Sequence, residues 1–261
     1  MRSRSTALAA CWLAAGACRR DTASVSVSRP RPIAACDSPY LPARPGLRWT
    51  YEITYPGLAT AGDAGAVGGR FTQRVAEVHP GGFTLEQRWP YVVQRIPWQC
   101  RPEGLVALEH GGETTQTDRE GHGAITFRTE SVEGVNLPSP LPQPGGSWNV
   151  TYRVRGSGTT HAGATVDSRS VYASTYTVAG PEHVTVRGTD YDSVRLRVST
   201  TIRTEARASD RPLPVTSTLT EEGSSWYVAD VGWVRSALTS HGAAGAPVES
   251  VTELVRVDMA P

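Results

Sequence analysis

The chain predicts an all-β fold of antiparallel, curved sheets, arranged as two related half-barrel-like units. Three observations carry that expectation. First, beyond the amino-terminal segment no stretch keeps a helical period for ten residues, whereas period-2 alternation recurs in Trp49-Thr-Tyr51-Glu-Ile53-Thr-Tyr55, in Trp148-Asn-Val150-Thr-Tyr152-Arg-Val154 and in Val194-Arg-Leu196-Arg-Val198. Such alternation places apolar side chains on one face of a strand and polar ones on the other, as in an antiparallel sheet with one wet face. Second, Gly-Gly pairs at 68–69, 81–82, 111–112 and 145–146 punctuate these runs and suit tight turns. Third, two motifs recur in the same order. Pro45-Gly46-x-x-Trp49 is matched by Pro144-Gly145-x-x-Trp148, and Trp98-x5-Gly104-Leu105-Val106 by Trp226-x5-Gly232-Trp233-Val234. We read a duplicated β unit, with the second copy longer by about one hairpin.

The elements follow in chain order. Residues 1–17 read as a signal peptide: Arg2 and Arg4 give a positive start, an apolar run follows that is too short to span a bilayer, and Ala15-Gly16-Ala17 forms an A-x-A cleavage site. Cys18 comes next. The arrangement resembles the lipobox of bacterial lipoproteins, with Ala15 where that pattern usually has Leu, and it implies acylation of Cys18. Plain secretion with Cys18 as an incidental thiol is the alternative. Residues 18–35 carry Ser, Arg and Pro with little apolar pattern and read as a flexible tether. The first β unit is expected over 36–138 and the second over 139–261. Between them the Pro-rich stretch 136–147 is the best internal boundary, since Pro excludes central strands. The span 57–69 reads as a long hairpin tip.

In each copy Pro-Gly is a turn that launches a strand, and the Trp that follows buries a large ring. Trp49, Trp98, Trp148 and Trp226 are expected as core pillars, with Trp148→Ala costing about 3–5 kcal/mol as a core truncation. Trp89 and Trp233 stand outside the pairing and are freer to make surface contacts. Cys36 and Cys100 remain after export, and two cysteines in an oxidising compartment are expected to pair.

Charge and motifs narrow the function. The 261-residue chain has 26 basic and 25 acidic residues, and removing Arg2 and Arg4 with the signal leaves 24 against 25. Such a near-neutral chain has no field to draw nucleic acid. Of six histidines (79, 110, 122, 161, 183 and 241), five lie beside Gly, Pro or turn-like sequence, where a solvated ring is expected. No H-x-x-x-H or paired Cys/His spacing suggests a metal, and no cofactor motif occurs. Asp190 and Asp192 could share a strand face as acid–base carboxylates, but Gly188-Thr-Asp-Tyr-Asp reads first as a hairpin turn. Glu221 and Glu222 likewise read as an exposed turn.

Three segments resemble motifs of a group of bacterial envelope proteins without assigned activity, many of them lipoproteins. They are Leu41-Pro-x-x-Pro45-Gly46-x-x-Trp49-x-Tyr51, Trp226-Tyr227-Val-Ala-Asp-Val231-Gly232-Trp233-Val234 and Val186-x4-Tyr191-Asp192-x-Val194. Asp230, Trp233 and Arg187 depart from that group's pattern. The resemblance implies a curved-sheet periplasmic fold, similar in shape to half-barrel lipoprotein carriers, and no catalytic residues. The expectation is an exported, lipid-anchored, non-enzymatic envelope protein on the periplasmic or outer-surface side. It would offer a concave apolar face to a lipid-like ligand or an envelope protein partner. A purely structural scaffold with a filled core is the alternative, and a hydrolase using Asp190 or Asp192 the distant one. An open cleft lined by aromatics favours binding; a packed interior favours the scaffold.

Overall fold

The computed structural model describes residues 36–56, 68–90, 92–110, 114–117, 124–160, 162–211, 213–243 and 245–259. Cys18, the signal peptide, the tether and most of the 57–69 hairpin tip lie outside the described residues. The described chain is strand and turn throughout. Its elements are β1 (Asp37–Ser38), β2 (Leu41–Pro42), β3 (Leu47–Thr54), β4 (Gly68–His79), β5 (Gly82–Arg88), β6 (Val93–Arg101), β7 (Gly104–Ala107), β8 (Thr114–Thr117), β9 (Ala124–Gly134), β10 (Leu137–Pro138), β11 (Ser147–Thr159), β12 (Thr165–Val186), β13 (Thr189–Ala208), β14 (Val215–Val228), β15 (Gly232–His241) and β16 (Val248–Met259). β1 and β2 form a small ladder of their own, and the rest join in one antiparallel sheet ordered β10-β7-β6-β5-β4-β3-β16-β15-β14-β13-β12-β11-β9-β8.

The three alternating runs fall on β3, β11 and β13. Leu47, Trp49 and Tyr51 point inward on β3, and Val150, Tyr152 and Val154 on β11. The sheet is continuous across the Pro-rich stretch, because β3 pairs with β16 as well as β4, and β11 with β9 as well as β12. The paired motifs occupy corresponding places in the two meanders. Gly46 and Gly145 both adopt positive φ (78° and 88°) just before β3 and β11, and Gly104 and Gly232 do so (143° and 102°) at the starts of β7 and β15. The second segment is not longer by a hairpin. Its extra length lies in the strands themselves: β12, β13 and β14 have 22, 20 and 14 residues, against 12, 7 and 9 for β4, β5 and β6.

The sheet curls until its margins meet, and side chains seal the seam. The Ala107 N–H donates to Asn136 Oδ1 (2.8 Å), and the Tyr152 hydroxyl shares its one proton between Asn136 Oδ1 (2.8 Å) and the Ala107 carbonyl (3.1 Å). Trp148 donates its indole N–H to the Asn136 carbonyl (3.3 Å). The Pro-rich stretch is thus no free linker. Its Leu137 is buried, and it supplies the two-residue edge strand β10, where proline removes no needed donor. Cys36 and Cys100 form a disulfide, with Cα atoms 5.2 Å apart.

Candidate functional site

The two halves of the curled sheet fill their inner faces differently. The first is packed with Phe71, Val75, Phe83, Leu85, Ile96 and Leu105. On β12 to β16 many inward positions instead hold serine or threonine. Small side chains on long strands cannot meet across the interior, and a cavity of about 600 Å³ remains. That size falls within the range of about 300–1,000 Å³ common for small-molecule sites.

The register lays the lining out in rows across the strands. One row runs Ser174, Thr200, Glu221, Ser240, each opposite the next. It is internally satisfied: Ser174 and Thr200 share a 2.9 Å hydrogen bond, and Ser240 donates to Glu221 Oε1 at 3.0 Å. A second row runs Leu196, Ser225, Ser236, Thr252, Ile53. Ser225, Ser236 and Thr252 are 9%, 4% and 5% exposed. None of these three hydroxyls has a hydrogen-bond partner among the described residues, although all line the cavity. The neighbouring Tyr227 hydroxyl is in the same position. The oxygens face a half-open space rather than a sealed interior, so water or a polar ligand can supply the partners that the protein does not. The concave face is mixed: beside these hydroxyls it carries Ile53, Val198, Ile202, Leu238 and Val248.

An aromatic ladder runs from the packed half up to the cavity at Trp233. Trp89 stacks on Phe71 (4.3 Å), Phe71 on Tyr51 (5.1 Å), and Tyr51 meets Trp233 (4.7 Å). Trp89 and Trp233 are accordingly half-buried members of an aromatic ladder rather than surface contacts, and Trp233 faces the cavity. Burial holds the phenols of Tyr51, Tyr176 and Tyr227 in the neutral form, above their ordinary range. A neutral phenol both donates and accepts.

Among the described histidines, His110 is partly exposed like the others but packs its ring against two tyrosines. Its ring lies 3.9 Å from that of Tyr172 and 5.0 Å from that of Tyr152, at the cavity wall. Desolvation by the packed tyrosine rings pushes the His110 pKa down to about 4.

The other candidate residues lie elsewhere. Asp190 and Asp192 both lie on β13 just after the β12–β13 turn, whose two-residue loop is Arg187-Gly188 with φ 51° and 81°, as a tight hairpin requires. Asp190 accepts from the Thr185 hydroxyl, and Asp192 pairs with His183 fully in solvent. This pair has no cleft around it. Glu221 and Glu222 are not in a turn but in the middle of β14, with Glu221 facing inward and Glu222 outward. Among the described residues no three His, Cys, Asp or Glu side chains converge as metal ligands. Ser225, Ser236, Thr252, Tyr176 and Glu221 were not singled out from the sequence. The only signal was for Tyr176, in Ser170-x-Tyr172-x-Ser174-x-Tyr176, an alternation of small hydroxyl and large ring on one strand face.

No family model matches the chain, and no curated protein matches it. Two solved structures are similar in fold. One is described as a "putative lipoprotein" from Parabacteroides distasonis, at 16% identity and a TM-score of 0.41, covering 84% of this chain and 98% of that one. The other is described as a "putative exported protein" with a YmcC-like fold from Bacteroides fragilis, at 12% identity and a TM-score of 0.43, with the same coverage.

Proposed function

We propose that this chain is an exported, lipid-anchored envelope protein that acts as a non-enzymatic binding module and holds a small ligand inside its curled sheet. The observation that carries the reading is the cavity of about 600 Å³ with its unpaired hydroxyl row. A scaffold has no need of such a space, and filling it with larger side chains would be stabilising. The non-enzymatic part rests on the lining. Its carboxylate, Glu221, is held by Ser240, and its imidazole, His110, lies against two tyrosine rings. Glu221 accepts from the Ser240 hydroxyl, and among the described residues neither Glu221 nor His110 has a second acid or base in hydrogen-bond reach. Export and anchoring rest on the residues around Cys18, since several acyl chains anchor stably where one does not.

One preparation tests both parts. The full chain, extracted from membranes, is measured by intact mass under denaturing and then native conditions. The denatured mass is expected to correspond to a chain beginning at an acylated Cys18, and the native mass to carry a non-covalent small-molecule adduct. A soluble chain with a free Cys18 would overturn the anchor. A native mass equal to the denatured one would overturn the binding role.

A further inference from the structure

Resting on the binding reading, we infer that the cavity is a site for an uncharged, polyhydroxylated molecule, a short neutral oligosaccharide, and not for an acyl chain. Three features of the lining point to that chemistry together.

The first is the row Ser225–Ser236–Thr252. These residues are direct cross-strand neighbours on β14, β15 and β16, and each is at least nine-tenths buried. Their hydroxyls have no partner among the described residues and open on the same space. Each can donate once and accept twice. A hydrocarbon tail would leave all three unmet. A sugar ring presents a matching series of hydroxyls that also both donate and accept.

The second is the set of rings. Tyr176, Tyr227 and Trp233 line the same cavity. Their electron-rich faces attract the polarised C–H groups on the flat side of a pyranose ring, by the same quadrupole that orders aromatic pairs. Hydroxyls and rings set side by side on the same strands suit a molecule that is polar at its rim and apolar on its faces.

The third is charge. The lining contains Glu221 and no arginine. A phosphate, a fatty-acid carboxylate or an acidic sugar would enter without a counter-charge and beside a carboxylate, which disfavours it. An uncharged ligand meets no such barrier, and Glu221 can accept from one of its hydroxyls.

The test uses the full chain in a polyoxyethylene detergent, which carries no sugar headgroup. Saturation-transfer NMR is run against maltotriose, cellotriose and chitotriose, with wild type and with Ser236→Ala/Thr252→Val. The expected result is transfer to at least one trisaccharide, with affinity at least tenfold weaker in the double variant, while the double variant unfolds at the same or a higher temperature. The unfolding measurement separates loss of binding from loss of fold. No transfer to any of the three, or transfer unchanged in the double variant, overturns the inference. If the native adduct described above proves to be a fatty acyl molecule, the saccharide assignment falls and the binding role stands. If no adduct forms and no sugar binds, both fall.

Discussion

Trp49→Ala is expected to destabilise the chain by about 3–5 kcal/mol, as a large core truncation. The ring is 1% exposed and sits where three parts of the chain converge. Its indole N–H donates to the Val231 carbonyl at 2.6 Å, in the turn between β14 and β15, which is remote from Trp49 in sequence. The substitution therefore opens a cavity and also strands a carbonyl, and the two costs act in the same direction. Two residues along, Tyr51 repeats the contact by donating its hydroxyl to the Trp233 carbonyl at 2.9 Å. Trp148→Ala is expected to cost clearly less than Trp49→Ala, below the sequence-based figure. Trp148 opens the corresponding strand but is only half-buried and not part of the core expected of it, and its ring stacks on Tyr176 at 5.3 Å. Chemical denaturation of both variants would check this. Equal midpoints for Trp49→Ala and Trp148→Ala would show that burial does not rank the two rings.

Removing the disulfide is expected to cost roughly 4 kcal/mol, since the bond closes a long loop with a sequence separation of 64. For a chain of this size that is a fall in Tm of about 10 °C. The geometry adds to the entropic effect. Cys36 begins a segment that crosses one end of the sheet: the Asp230 N–H donates to the Pro39 carbonyl at 2.7 Å, and Arg44 pairs with Asp230 at 3.1 Å. Cys100 holds the other side on β6, through its N–H to the Gly81 carbonyl at 2.8 Å. Thermal melts of wild type and Cys36→Ser/Cys100→Ser, with and without reductant, are the check. Wild type should fall to the variant's Tm on reduction. A variant that melts with wild type would remove the bond from the stability of this end.

The sequence by itself determined the class of fold and much of its punctuation. Period-2 alternation is a local property, set by which face of a pleated strand each side chain leaves, so β3, β11 and β13 were legible before any contact was known. The Pro-Gly and Gly-apolar-Val positions were legible for the same reason, because a backbone that must turn with positive φ selects glycine locally. The pairing of Cys36 with Cys100 followed from arithmetic once Cys11 left with the signal peptide and Cys18 was assigned to the anchor. Only the tertiary structure decided what the inner face is for. Ser225, Ser236 and Thr252 lie far apart by the spacing of a strand pattern, and each alone is an unremarkable small residue. They become a row because three strands pair in one register, and the row lines a cavity because the long strands carry it beyond the reach of side chains from the opposite wall. Glu221 shows the same limit: beside Glu222 it reads as an exposed pair, but a strand sends consecutive residues to opposite faces, and the curl of the sheet made one of those faces an interior.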